Sequence, residues 1–450
     1  MKRIRTGVLL AGALCALTVV PAGAVNALDV AGAGIWATVS AAQDALGWDG
    51  VNAAPPVQDE QSIGFTGLEK TVRANNQTIQ GFQKTLAGIQ NTDVDTQFDV
   101  QVQQYAGQLR MYEQQAAAYQ KAVNALSSAL ASDELDDASR QALQAQLQTA
   151  QTNLSVSQAS SKGIQEALDN IDDLRQEAQD QLDDTYVSTK KQLDNMANQI
   201  VVGAQSAFIG IITTQEGIAT LDRNLAALDR NIAVVEKQVE LGMASQLTLD
   251  NLRQTRRTTA AQRETLTLMQ TTTENQLSLL CGNTAATTVK PTKLPAVTSQ
   301  QLAGMNYEAD LEQALKNSYS IWSAQNEVRK AGNDYEDDVT STVDAFEAAK
   351  LNLEYAEETA ENTFRKLYLD VQDKKRLLDE AKAAYDTEKK NFDVDALQYE
   401  RGMISQLDYL TAQDDLAAKQ DAVNTAEHDL FTAYNTYDWA KRGYMAGGAA

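Results

Sequence analysis

The sequence predicts an all-α protein built from long, heptad-patterned helical hairpins in two internal repeats, with little or no β-barrel. Three observations predict it: where the prolines fall, a sevenfold apolar period, and a nine-residue segment that occurs twice. Apart from Pro21, the prolines are Pro55, Pro56, Pro291 and Pro295, so 57–290 and 296–450 are free to be helix.

Residues 1–24 read as a secretory signal peptide. Lys2, Arg3 and Arg5 precede the apolar run Gly7 to Val20, and Ala22-Gly23-Ala24 offers a small-residue cleavage site. The apolar run is too short to span a membrane. An exported chain in the cell envelope, in an outer membrane or a periplasm-like space, is therefore expected. Cys15 lies inside that segment, so the mature chain keeps one thiol, Cys281, and no internal disulfide. Residues 25–56, with Trp36 and Trp48, read as a short N-terminal segment.

From residue 57 the apolar period is helical and close to seven. Leu221, Leu225, Leu228, Ile232, Val235 and Val239 form one seam. Phe364, Val371, Leu378, Tyr385, Phe392 and Tyr399 recur every seventh residue, and so do Tyr409, Leu416, Val423, Leu430 and Tyr437. Sustained heptads mean helices packed side by side as coiled coils. The helix leading to Tyr399 is expected to be on the order of 90 Å long. The run 200–212, interrupted by Gln205 and Ser206, reads as a buried core segment rather than a membrane span.

VELGMASQL (239–247) and YERGMISQL (399–407) are copies of one segment, each between two long helices. The returning helices end near Gly282 and Gly443. Upstream, 67–83 resembles 310–326. The expected organisation is a first repeat at 57–283, a linker at 284–302, a second repeat at 303–443 and a tail at 444–450. The first repeat carries an inserted helical hairpin at about 95–185, turning at ASDELDD (131–137), with Ser132 or Asp133 as the cap of its return helix.

In the repeated segment, Gly242 and Gly402 supply a left-handed residue that ends the incoming helix and reverses the chain. Ser245 and Ser405 can cap the outgoing helix. Met243, Met403, Leu247 and Leu407 are expected to close the apolar seam at its end.

A formal charge of −23, or −26 once Lys2, Arg3 and Arg5 are removed, excludes a nucleic-acid binder, which needs clustered cations. It suits solvated helix faces or a negatively charged duct. No phosphate loop, metal-ligand spacing or nucleophile motif is present, so no enzyme activity, cofactor or metal is expected. His428, the sole histidine, reads as a solvated or seam residue, and Cys281 as a buried structural thiol.

The doubled long helix, Gly-x-x-Ser tip and returning helix resemble the TolC-like outer-membrane efflux family. GMISQLDYLTAQDDLAAKQ (402–420) is the closer copy, with Asp408, Leu410, Ala412, Gln413 and Leu416 where the family tends to place Asp, Leu, Ala, Gln and Leu. GMASQLTLDNLRQ (242–254) is looser, its Asp250 standing two residues later. The resemblance covers most of 60–443. It implies a homotrimeric helical cylinder whose tips (Gly242, Met243, Ser245, Leu247, Gly402, Met403, Ser405 and Leu407) meet a periplasmic adaptor protein serving an inner-membrane transporter. Where that family inserts barrel strands, this chain has the Gln/Ala-rich stretch 95–185 and the Ala/Glu-rich stretch 339–358, both of which favour helix. A structural coiled-coil protein of the envelope with no transport role is the alternative.

Overall fold

The computed structural model describes residues 59–133, 135–284 and 287–445. The signal-peptide and N-terminal readings (1–24 and 25–56) and residues 446–450 of the tail lie outside them.

The protein is all-α, as expected. In chain order the elements are β1 (Asp59–Ile63), α1 (Phe65–Asn75), α2 (Gln77–Gln90), α3 (Val94–Leu130), α4 (Asp137–Asp169) and α5 (Ile171–Glu240). Then follow α6 (Gln246–Leu280), β2 (Thr287–Pro291), α7 (Ser299–Ala303), α8 (Tyr307–Asn317), α9 (Tyr319–Asn333), α10 (Thr340–Glu400) and α11 (Gln406–Lys441). Among the described residues the strands are β1 and β2, a two-stranded parallel pair in which Asp59 faces Thr287 and Ile63 faces Pro291. Pro291 takes the last place of β2, where a missing N–H costs little. The stretch 340–358 is helix, with Leu351 and Tyr355 exposed.

The chain divides into two compact units. Among the described residues, one comprises 59–72, Gln199–Thr298 and Asp373–Thr432; the other comprises Arg73–Asn198, Ser299–Gln372 and 433–445.

In the first unit, Val201, Ala204, Phe208 and Ile211 are fully buried and spaced as one helix face. The apolar run 200–212 is therefore core. Phe65 meets Phe208 and Phe431 edge-on, with centroids 5.4 and 4.7 Å away. The segment after α6 is held tightly: Ser278 Oγ accepts the Val289 N–H at 2.6 Å, and Val289 and Leu294 are buried. Cys281 is buried here, and burial pushes its thiol up to about 11, so it stays an inert thiol.

In the second unit, α3 and α4 pack against each other. Their less exposed residues fall on 3–4 spacings, from Val94 and Phe98 along α3 and from Leu143 and Leu147 along α4. The cap of α4 is Asp136, whose carboxylate accepts the Ser139 N–H, rather than Ser132 or Asp133. Asp136 directly precedes the first helical residue, which is where a cap can reach the open N–H groups. The core of this unit also holds an aromatic cluster, Phe364, Tyr368 and Tyr437 with Tyr307, and buried aliphatic residues such as Ile321 and Val371.

The upstream repeat is present but displaced by one residue from the sequence match. α1 and α2 break at Asn76, and α8 and α9 break at Ser318, with nearly identical cap dihedrals. At that constant offset Val72 aligns with Ala314 and Ile79 with Ile321, all buried. Burial and capping, not letter identity, set the register.

Candidate functional site: the hairpin tips

Both tips belong to the first unit, and both end their incoming helix the same way. The Gly242 N–H donates to the Val239 carbonyl at 3.0 Å and the Met243 N–H to the Gln238 carbonyl at 2.7 Å. The Gly402 N–H donates to Tyr399 at 2.9 Å and the Met403 N–H to Gln398 at 2.8 Å. This pair of bonds is a Schellman motif, which needs a left-handed residue at its turn. Gly242 and Gly402 have φ of 72° and 70°, as the sequence required.

The outgoing helices start on the two serines. Ser245 Oγ accepts the Thr248 N–H at 3.1 Å. Ser405 Oγ accepts the Asp408 N–H at 3.1 Å, while the Asp408 carboxylate accepts the Ser405 N–H at 3.1 Å and hydroxyl at 2.7 Å. The second tip is thus a complete capping box and the first is half of one, because Thr248 stands where Asp408 does. The Ser405 hydroxyl and backbone bonds hold the Asp408 carboxyl below its usual range.

Met243, Leu247 and Met403 do not close the seam. Met243 is 75% exposed, Leu247 69% and Met403 69%, while Leu407 is half-buried. The fourth residue of each outgoing helix closes it instead. In the first hairpin that is Leu249, 4% exposed; in the second it is Tyr409, stacked on Tyr399 at 4.7 Å and near Phe392 at 5.6 Å. The reason is angular. Leu247, second in its helix, points away from the face that Leu249, fourth in it, presents to the partner helix. Leu241, 73% exposed, joins the first tip's apolar rim and went unnoticed in the sequence. Arg401 occupies its place in the second tip.

Charges arranged in sevens set the helices that carry the tips. In the first hairpin Asp222 pairs with Arg263, Asp229 with Arg256 and Glu236 with Arg253. Between hairpins, Arg223 pairs with Asp421 and Arg230 with Asp414, joining α5 to α11 antiparallel. From the Arg230–Asp414 rung α5 runs on to its end at Glu240 and α11 runs back to its start at Gln406, so the register carries both tips to the same end. Both tips therefore finish the same end of the unit side by side. Acidic residues at 222, 229 and 236 opposite arginines at 253, 256 and 263 were a readable signal of this pairing.

His428 lies on the α11 seam facing Glu216, and among the described residues no group of three His, Cys, Asp or Glu is placed to hold a metal.

The chain is similar to solved outer-membrane proteins. One is CusC, described for conformational changes accompanying folding and transmembrane channel formation: 12% identity, 86% of this chain and 96% of that chain covered, TM-score 0.48. Another is the outer membrane protein VceC of Vibrio cholerae, at 12% identity, 85% and 96% coverage and TM-score 0.43. A third is the open state of the Neisseria gonorrhoeae MtrE outer membrane channel, at 12%, 89% and 98% coverage and 0.37. No protein-family model and no curated protein matches the chain.

Proposed function

We propose that this chain is a TolC-like cell-envelope component of an efflux or export system. In this reading three copies form a helical duct or docking cylinder, and the Gly-x-x-Ser tips meet an adaptor protein that links it to an inner-membrane transporter. One observation carries the reading: two tips of the same geometry expose Leu241, Met243, Leu247 and Met403 to solvent. Large apolar side chains at the very end of a hairpin cost solubility and contribute nothing to the core, so a partner surface is their natural use.

The test is to purify the mature full-length chain from its own envelope after mild cross-linking. Trimers with an adaptor attached support the reading. A strict monomer at micromolar concentration with no adaptor overturns it.

The alternative, a structural coiled-coil protein of the envelope without a transport role, is favoured by the helices at 94–130, 137–169 and 340–358, where barrel strands would belong. Unchanged export of every transported compound in a strain lacking the chain would favour that alternative.

A further inference from the structure

The contact between the hairpins is a ladder with one rung unlike the others. Glu216, Arg223 and Arg230 follow one another at sevens on α5, facing His428, Asp421 and Asp414 at sevens on α11. Two rungs pair arginine with aspartate, residue types whose ordinary titrations lie outside the physiological range. The third pairs the only histidine of the chain with a glutamate.

His428 Nδ1 lies 3.1 Å from Glu216 Oε2, and the imidazole is only 14% exposed. The Nδ1 atom is out of reach of water and is not aligned for a hydrogen bond. Without an aligned hydrogen bond, the attraction across this rung rests on charge. The surroundings sharpen this. Glu216 also faces Asp421 and Glu427, which repel it, and Lys293, which attracts it. Lys382 is engaged by Glu427 and Lys374 by Asp429, so neither is free to replace the imidazolium. A cleft lined by Glu216, Thr220, Asp421 and Thr425 opens beside the rung.

We propose that the Glu216–His428 rung is a proton-operated contact between the first and second hairpins, closed while the imidazole is protonated and released when it is not. Histidine is the side chain whose ordinary titration falls between pH 5 and 8. Burial, opposed by His428, raises the Glu216 carboxyl, so acidification neutralises it earlier than an ordinary glutamate. The contact is doubly charged only while the imidazole holds its proton and the carboxylate has lost its own.

The experiment compares thermal unfolding of the full chain with that of the variants His428→Gln and His428→Arg at pH 5.5 and 8.5. The Gln variant is never charged and the Arg variant always is. The natural chain should lose about 2–4 °C of Tm more than either variant on going to pH 8.5. The Arg variant should stay near the acid behaviour and the Gln variant near the alkaline one. Equal pH slopes in all three proteins overturn the proposal. Should the Gln variant fail to fold, the Arg variant decides alone: a flat profile supports the rung, and the natural slope refutes it.

Discussion

Asp310 is buried at the repeat position that Leu68 fills in the first half. Its carboxylate accepts the Tyr437 hydroxyl at 2.5 Å and the Asn306 N–H at 3.0 Å, and it pairs with Lys441 at 2.5 Å. Burial pushes its carboxyl up, but the Lys441 and Tyr437 bonds outweigh that and leave it below the usual range. Asp310→Ala strands the Tyr437 hydroxyl and an ammonium. Breaking a buried ion pair costs about 3–5 kcal/mol, and since Lys441 keeps partial access to water the expected loss is near the lower figure. Replacing both, as Asp310→Leu with Lys441→Met, puts the leucine of the first repeat in place and should recover the part due to the stranded ammonium. Denaturant titration of the three proteins decides. The depressed carboxyl stabilises the fold above its unfolded titration, and that contribution disappears as pH falls through the folded one.

The positive-φ glycines separate backbone cost from steric cost. At Gly242 and Gly402 an added Cβ meets nothing within 4 Å, so Ala there costs only the left-handed penalty of about 1–2 kcal/mol. At Gly443, φ 94°, the Cβ would lie 2.3 Å from the Asn317 carbonyl oxygen. Gly443→Ala should therefore lower Tm at least twice as far as either tip substitution. Equal losses at all three would mean the backbone yields at Gly443.

The two tips should answer acid differently. Asp408 completes the second capping box only as a carboxylate, and its lowered titration means the bonds survive until the pH falls through that value. Below it, the start of α11 should fray while the start of α6, capped by Ser245 with Thr248, stays unchanged. Hydrogen exchange in the two tip peptides, corrected for intrinsic rates, is the measurement. Asp408→Asn should remove the difference.

Much of this was legible in the sequence, and the reasons are local. Gly242, Gly402, Ser245 and Ser405 announce the tips because turn and cap chemistry is decided by a few neighbouring residues. The sevenfold seams announce the coiled coils for the same reason. What stayed hidden depends on partners distant in sequence. Nothing local marks Asp310, because Lys441 and Tyr437 arrive from another helix. Leu247 looked like a seam residue because only the helix's start, set by Ser245, shows that it points outward. The one-residue displacement of the upstream repeat was invisible because Leu68 and Leu311 match as letters while Leu68 and Asp310 match in space.

The hairpins are held by different forces, which makes salt a discriminating probe. Asp222–Arg263, Asp229–Arg256 and Glu236–Arg253 staple α5 to α6, and every member of these pairs is two-fifths exposed or more. Such pairs are worth at most about 1 kcal/mol each and weaken as the Debye length shrinks to about 3 Å at 1 M salt. Near the second tip, α10 and α11 meet through Phe392, Tyr399 and Tyr409, whose contact salt does not screen. Raising sodium chloride from 0.1 to 1 M should speed amide exchange in 250–263 relative to 406–420. The triple variant Arg253→Gln, Arg256→Gln, Arg263→Gln should show the fast exchange already at low salt.

The exposed tip side chains give the sharpest separation of folding from function. Met243, Leu247 and Met403 touch little of their own chain, so Met243→Ser, Leu247→Ser and Met403→Ser should each change stability by less than about 0.5 kcal/mol. If the tips dock a partner, the same substitutions remove its buried apolar contacts, and the triple variant should fail to retain the adaptor that cross-links to the natural chain. Leu249→Ser is the contrasting variant. Leu249 is 4% exposed and closes the first hairpin's seam, so its loss should lower Tm whether or not a partner exists. A triple tip variant with unchanged Tm and unchanged partner retention would remove the apolar rim from the docking surface.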